Sequence, residues 1–238
     1  MKNKELADIV KKAKKIVFFG GAGVSKGSGI PDFRGTGGLY QSAGGSVAPE
    51  EILSGRYLQE HPEEFYDYSR KNMLYPDAKP NAAHLTLAKW EREGKLTSVI
   101  TQNIDGLHQA AGSKNVIELH GSVLRNYCVS CGEVHPLSYV AEADGVPRCR
   151  VCGGIVRPDV VLYGEGLDVP SFMQAENDIA EADVLIVGGT SLTVYPAAGL
   201  VQSFRGKHLI IINRTRTPYD PWAEYIIREP IEEVLGEL

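Results

Sequence analysis

The chain has 238 residues, 43% of them apolar and 23% charged, with a formal net charge of −5. That is ordinary globular usage, enough for one large domain or a domain carrying a small insert, and it excludes wholesale disorder. A dedicated nucleic-acid binder carries a strong basic excess, so no direct nucleic-acid partner is expected.

The first five residues lead into no apolar core of a secretion signal, and the longest apolar runs are too short to span a bilayer. The expectation is a cytoplasmic protein without a membrane partner. Leu6, Ile9, Val10 and Ala13 recur at helical spacing, which predicts an amphipathic helix over residues 3–14. Residues 16–19 form an apolar run that stops at Gly20-Gly21, the pattern of a parallel strand buried on both faces. Residues 99–100, 116–117, 184–187 and 209–212 repeat it. Helices are predicted between them. One covers 62–72, opened by Pro62 with Glu63 and Glu64 in the first turn; another covers 82–93, ending before Gly94. Residues 35–50 are rich in Gly, Ser and Ala and are expected to form a loop. Buried strands alternating with helices predict an α/β fold with a parallel sheet and helices on both faces.

Residues 121–157 break the pattern, with little hydrophobic periodicity, and they hold all four cysteines of the chain. Cys128 and Cys131 form one C-x-x-C pair, and Cys149 and Cys152 form the other, at the spacing of a zinc ribbon. Four thiolates would saturate a tetrahedral zinc, so a structural metal is expected to hold together a stretch that cannot build its own apolar core. A redox dithiol or unliganded thiols are the alternatives.

Several strand ends carry chemistry. Gly20-Gly21-Ala22-Gly23-Val24-Ser25 follows a strand and is read as preceding a helix, where bare backbone can approach a phosphate. Lys26 replaces the third glycine of the usual dinucleotide fingerprint, and spacing alone also admits a ligand-free turn. A second glycine turn, Gly188-Gly189-Thr190-Ser191, suits a dinucleotide lying across the carboxyl edge of one sheet. Asn213 ends another strand where a ribose could be held. Gln102, Asn103 and Asp105 cluster after the strand at 99–100, and taken alone they could form an ordinary hydrogen-bonded loop. His120 is placed at a strand end beside the cysteine insert, where an imidazole could act as general base or serve structure alone.

Together these segments resemble the sirtuin family of NAD-dependent protein lysine deacylases, in the form of a short bacterial-type catalytic core. The likeness rests on GAGVSKGSGIPDFRG (21–35), TQNIDGLH (101–108), ELHGS (118–122), the cysteine pairs, RPDVVLYGE (157–165), GTSLTVYPAAGL (189–200) and Asn213, in that order. It implies a Rossmann-like NAD-binding domain (1–34, 74–120 and 158–238) and a small domain made of a helical cofactor-loop insert (35–73) and a zinc-ribbon insert (121–157). It implies that Gly21 and Ala22 contact the pyrophosphate, with Phe33 and Arg34 on the loop that closes over the pocket. Gly189, Thr190, Ser191, Asn213 and Ile231 would hold the adenosine half; Gln102, Asn103, Ile104 and Asp105 would surround the nicotinamide ribose. His120, Asn103 and Asp105 would be catalytic, with His120 as the general base. The products would be deacylated lysine, nicotinamide and 2′-O-acyl-ADP-ribose. The partner would be an acylated-lysine protein or peptide, entering as a strand between residues 160–165 and 192–195 and touching Val160, Tyr163, Gly164, Glu165 and Val194. A monomer is expected.

Members that prefer succinyl-lysine carry Tyr-x-x-Arg near the acyl pocket. Here Tyr66 matches, but Ser69 stands where the arginine belongs and Arg70 is one place late, a helical rotation of about 100°. Acetyl and other uncharged acyl groups are therefore expected. Mono-ADP-ribosyl transfer, a catalytically dead sensor of NAD or acyl-ADP-ribose, and a zinc-ribbon nucleic-acid binder are the competing functions. The presence of Asn103, Asp105 and His120 speaks against the sensor, and the charge speaks against the last.

Overall fold

In a computed structural model, which describes residues 2–33, 38 and 47–238, nine strands lie among the described residues. They are β1 (Ile16–Gly20), β2 (Leu96–Thr101), β3 (Val116–Glu118), β4 (Gly121–Cys128), β5 (Val134–Pro136), β6 (Val156–Val160), β7 (Val184–Gly188), β8 (His208–Ile212) and β9 (Tyr225–Ile227). Six form a parallel sheet in the order β3-β2-β1-β7-β8-β9, and three form an antiparallel sheet in the order β5-β4-β6. Chain direction reverses strand order between β1 and β7, so their carboxyl ends open a crevice of the kind where doubly wound sheets bind ligands.

The alternation along β1 explains the layers. Ile16 and Phe18 face one side, with Leu6 and Val10 of the helix Lys2–Lys12, Leu87 and Trp90 of the helix Ala82–Arg92, and Val234 of the helix Ile231–Gly236. Val17 and Phe19 face the other, against Ala175 and Ile179 of the helix Val169–Glu181 and Leu200 of the 3₁₀ helix Ala197–Ser203. A sheet covered on both faces needs strands that are apolar throughout, and β1 and β7 are fully buried.

The helix Pro62–Asn72 matches its expected bounds, and the first helix ends two residues early, at Lys12. The glycine turn after β1 runs into a helix as expected, of the 3₁₀ kind, Ala22–Ser28. Two expectations are corrected. His120 lies in the turn between β3 and β4 rather than at a strand end. The insert is not without apolar packing: Val140 and Val156 are buried with Leu58, Phe65 and Tyr66, so helices upstream complete a core the insert lacks alone. The small sheet also runs past residue 157, since Val160 of β6 pairs with Gly121. Arg34 and most of the predicted 35–50 loop lie outside the described residues; a short helix, Pro49–Ile52, occupies its end. Among the described residues no helix is long and apolar enough to cross a membrane.

Candidate active site

The crevice between the two sheets holds a cavity of about 800 Å³. Most of the residues expected to serve as a site line it. From the cofactor set these are Ala22, Phe33, Gln102, Asn103, Ile104, Asp105, His120, Gly189, Thr190, Ser191, Asn213 and Ile231, and from the peptide set Val160, Tyr163, Gly164, Glu165 and Val194. Gly21 lies behind the wall, where an added Cβ would sit 2.8 Å from Thr190 Cβ; Gly23 lines the cavity instead.

The glycines of this turn work by close approach. The N–H groups of Gly21 and Gly23 donate to the carbonyls of Gly188 and Gly189 at 3.2 and 2.8 Å. A Cβ on Gly23 would fall 2.7 Å from the Cα of Gly189, itself at φ +60°. The two glycine turns are thus pressed together and form the floor of the crevice. Thr190 Oγ1 donates to Gln102 Oε1 at 2.8 Å, tying the β7 turn to the β2 turn.

Above this floor a polar chain crosses from one turn to the next. Asn103 Nδ2 donates to Ser25 Oγ at 3.0 Å, and Ser25 Oγ donates to Asp105 Oδ2 at 2.6 Å. Asp105 Oδ1 accepts from the N–H of Leu107 at 2.9 Å, so the carboxylate is fixed at both oxygens. Ser25 is almost fully buried, and sequence spacing did not single it out as a site residue: its partners lie about eighty positions downstream. Behind Asp105 stand two buried histidines, His84 and His108, with ring centroids 4.7 Å apart. Burial drives His108 down to about 3 and His84 down to about 4, so both are neutral packing groups near neutral pH.

His120 Nδ1 lies 2.9 Å from the carbonyl oxygen of Gln102. That oxygen can only accept, so Nδ1 carries the proton and Nε2 the free lone pair. Burial holds the imidazole below its usual pKa, against the opposing pull of the Gln102 carbonyl. The turn is held from two sides. The Leu119 N–H donates to the Thr101 carbonyl, and the His120 carbonyl accepts from the Val161 N–H, each at 3.0 Å. Gly121, at φ +73°, makes this possible, because a Cβ there would lie 2.0 Å from the Asp159 carbonyl oxygen.

Residues 160–165 form one edge of the cleft. On their outer side Tyr163 N–H donates to the Leu53 carbonyl and Gly55 N–H to the Tyr163 carbonyl, a short parallel bridge. Arg157 grips Glu165 with two hydrogen bonds of 2.6 and 2.9 Å, and Glu165 also accepts from Leu162 N–H. The Glu165 side chain therefore braces this edge. Tyr66 and Arg70 lie away from the cavity. The Tyr66 hydroxyl donates to the Val156 carbonyl at 2.6 Å, and Arg70 is held by Asp67 and by the Tyr66 ring.

The four cysteine sulfurs lie within 4.8 Å of one another. Cys128 approaches Cys152 at 3.4 Å, and Cys131 approaches Cys149 at 3.7 Å. Four convergent sulfurs suit a closed tetrahedral zinc site.

The model of the Sir2 family matches residues 21–196. An NAD-dependent protein deacetylase of Clostridium acetobutylicum is 54% identical over 233 residues, covering 97% of this chain and 95% of that protein. One from Staphylococcus aureus is 47% identical, covering 98% and 96%. Among solved structures, a Sir2 complex with p53 peptide and NAD+ superposes with a TM-score of 0.87 at 39% identity, covering 100% of this chain and 97% of that one. A Sir2 bound to acetylated peptide gives 0.86 at 38% identity with the same coverage.

Proposed function

The chain belongs to the Sir2 family, and from that premise we propose that its crevice is the site at which an NAD-dependent protein-lysine deacetylase acts on acylated-lysine proteins or peptides. The observation that carries this is the meeting of His120, Asn103 and Asp105 with the 160–165 edge around one cavity. The residues present suit NAD: the cavity is large enough for a dinucleotide, and its polar groups stand at the strand ends. When bound, NAD supplies an anomeric carbon that carries nicotinamide as a leaving group.

The protein's own part is read from the family likeness, with the geometry in support. Ala22 and Phe33 form the pyrophosphate side, with Gly21 shaping the turn behind them and Phe33 keeping water out. Gly189, Thr190, Ser191, Asn213 and Ile231 take the adenosine half. These residues belong to the proposed large domain (1–34, 74–120 and 158–238), across the cleft from the small one (35–73 and 121–157), with β6 crossing between them. Asp105, locked by Ser25 and Leu107, orients the nicotinamide end, and Asn103 orients the ribose. His120, neutral and bare at Nε2, accepts a proton from a ribose hydroxyl. With the acyl oxygen displacing nicotinamide at the anomeric carbon and one water consumed, that ribose oxygen would capture the acyl carbon, and the products would be deacylated lysine, nicotinamide and 2′-O-acyl-ADP-ribose. The peptide pairs as a strand between 160–165 and 192–195, so backbone supplies affinity with little sequence selectivity. Cys128, Cys131, Cys149 and Cys152 hold a structural zinc that cross-links two loops of the small domain.

Incubation with NAD and an acetyl-lysine peptide, followed by mass spectrometry, tests this. Equal amounts of nicotinamide, deacetylated peptide and acetyl-ADP-ribose are expected. Nicotinamide release with ADP-ribose attached to an acceptor and the acetyl group retained would overturn it in favour of transfer.

A further inference from the structure

His120 lies in the turn between β3 of the parallel sheet and β4 of the small one, the peptide edge follows β6, and catalysis requires the two in one register. One side chain ties both. Arg125, half exposed on β4, donates from Nη1 to Glu118 Oε2 at 2.7 Å and from Nε to Asp159 Oδ2 at 2.8 Å. Glu118 ends β3, two residues before His120, and its side chain is only 9% exposed. Asp159 lies on β6, directly before Val160. The β4–β6 ladder loses its regular register between Ser122 and Asn126, the stretch that contains Arg125. Backbone pairing ties Gly121 to Val160, Ser122 to Asp159 and Arg125 to Pro136 of β5, but the β4–β6 ladder is irregular between Ser122 and Asn126, and there the planar guanidinium, with donors aimed at two carboxylates, adds a link back to β3.

We propose that Arg125 is a positioning residue for the reaction, clasping the strand that leads into the His120 turn and the strand that leads into the peptide edge so that base and acyl-lysine meet. The inference rests on the proposed deacetylase function. Loss of the clasp leaves the His120–Val161 bond and the Gly121–Val160 pairing alone to hold the 160–165 edge against His120, and the edge loosens, while the cofactor turns after β1 and β7, which Arg125 does not touch, stay in place.

The test compares Arg125→Met, Arg125→Lys and the double variant Arg125→Met/Glu118→Gln with the wild type. Three quantities are read: steady-state kinetics, thermal melting, and acetyl-peptide affinity by fluorescence anisotropy. Arg125→Met should raise the peptide KM and Kd about five- to tenfold and lower kcat, with KM for NAD within about twofold. Arg125→Lys should restore part of the loss, because a point charge reaches one carboxylate at a time. In the double variant the buried Glu118 charge no longer lacks a partner, so melting should recover while the peptide KM stays raised. Wild-type peptide KM and Kd in the double variant, or in Arg125→Met, would overturn the clasp and leave Arg125 a purely structural residue. An inactive wild type would instead overturn the deacetylase reading, and peptide affinity still judges the clasp.

Discussion

Ser25→Ala removes one oxygen and disconnects two site residues. Ser25 is 1% exposed, gives a 2.6 Å hydrogen bond to Asp105 and receives a 3.0 Å one from Asn103. The first is charge-assisted, and water has little room to replace it. Losing a hydrogen bond to a charged group costs about 1.5–3 kcal/mol, and the Asn103 amide loses a neutral bond besides. If about 2 kcal/mol of this is felt where Asp105 and Asn103 orient the cofactor, kcat/KM falls roughly 30-fold. The assay is steady-state deacetylation of an acetyl-lysine peptide at varied NAD, with circular dichroism as a check on folding. A variant that folds and stays within about twofold of wild type would refute the idea that this chain of hydrogen bonds sets the geometry.

Three further outcomes follow from the same structure. Because burial lowers the His120 pKa and the base must be neutral, the acidic limb of kcat/KM should fall below the free-imidazole value of about 6.5, activity dropping as pH falls through the shifted pKa; a limb above that value would contradict it. Replacing Cys149 by Ser should lower bound zinc from one per chain and melt the small domain at lower temperature, and native protein that contains no zinc by elemental analysis would refute the closed site. An acetyl-lysine peptide should be turned over far faster than a succinyl one, since Arg70 is engaged with Asp67 and the Tyr66 ring; the reverse ranking would show a cation reaching the acyl group.

Much of this was legible in the chain itself. Buried parallel strands announce themselves as unbroken apolar runs, which is why 16–19, 184–187 and 209–212 lie within β1, β7 and β8. Pro62 and the acidic pair after it located the helix Pro62–Asn72. The cysteine spacing led to four sulfurs that do converge. The insert was harder, because its strands carry alternating polar residues and its core is completed by Phe65 and Tyr66 from elsewhere. Ser25, Glu118, Arg125 and Asp159 were invisible as site-supporting groups for a related reason: hydroxyls and surface charges are common, and only folding reveals which are paired. Glu165, placed among peptide contacts by resemblance, turns its carboxylate to Arg157 and stiffens the edge.

The proposed chemistry turns on His120 as the base of an NAD-dependent deacetylation. Its most direct test is His120→Ala, assayed for acetyl-ADP-ribose formation beside the wild type, with dichroism and zinc content to confirm the fold. The expected result is a folded, zinc-replete protein whose product formation is lowered by a factor of about 10² to 10⁴. Near-normal product formation in that variant would contradict it.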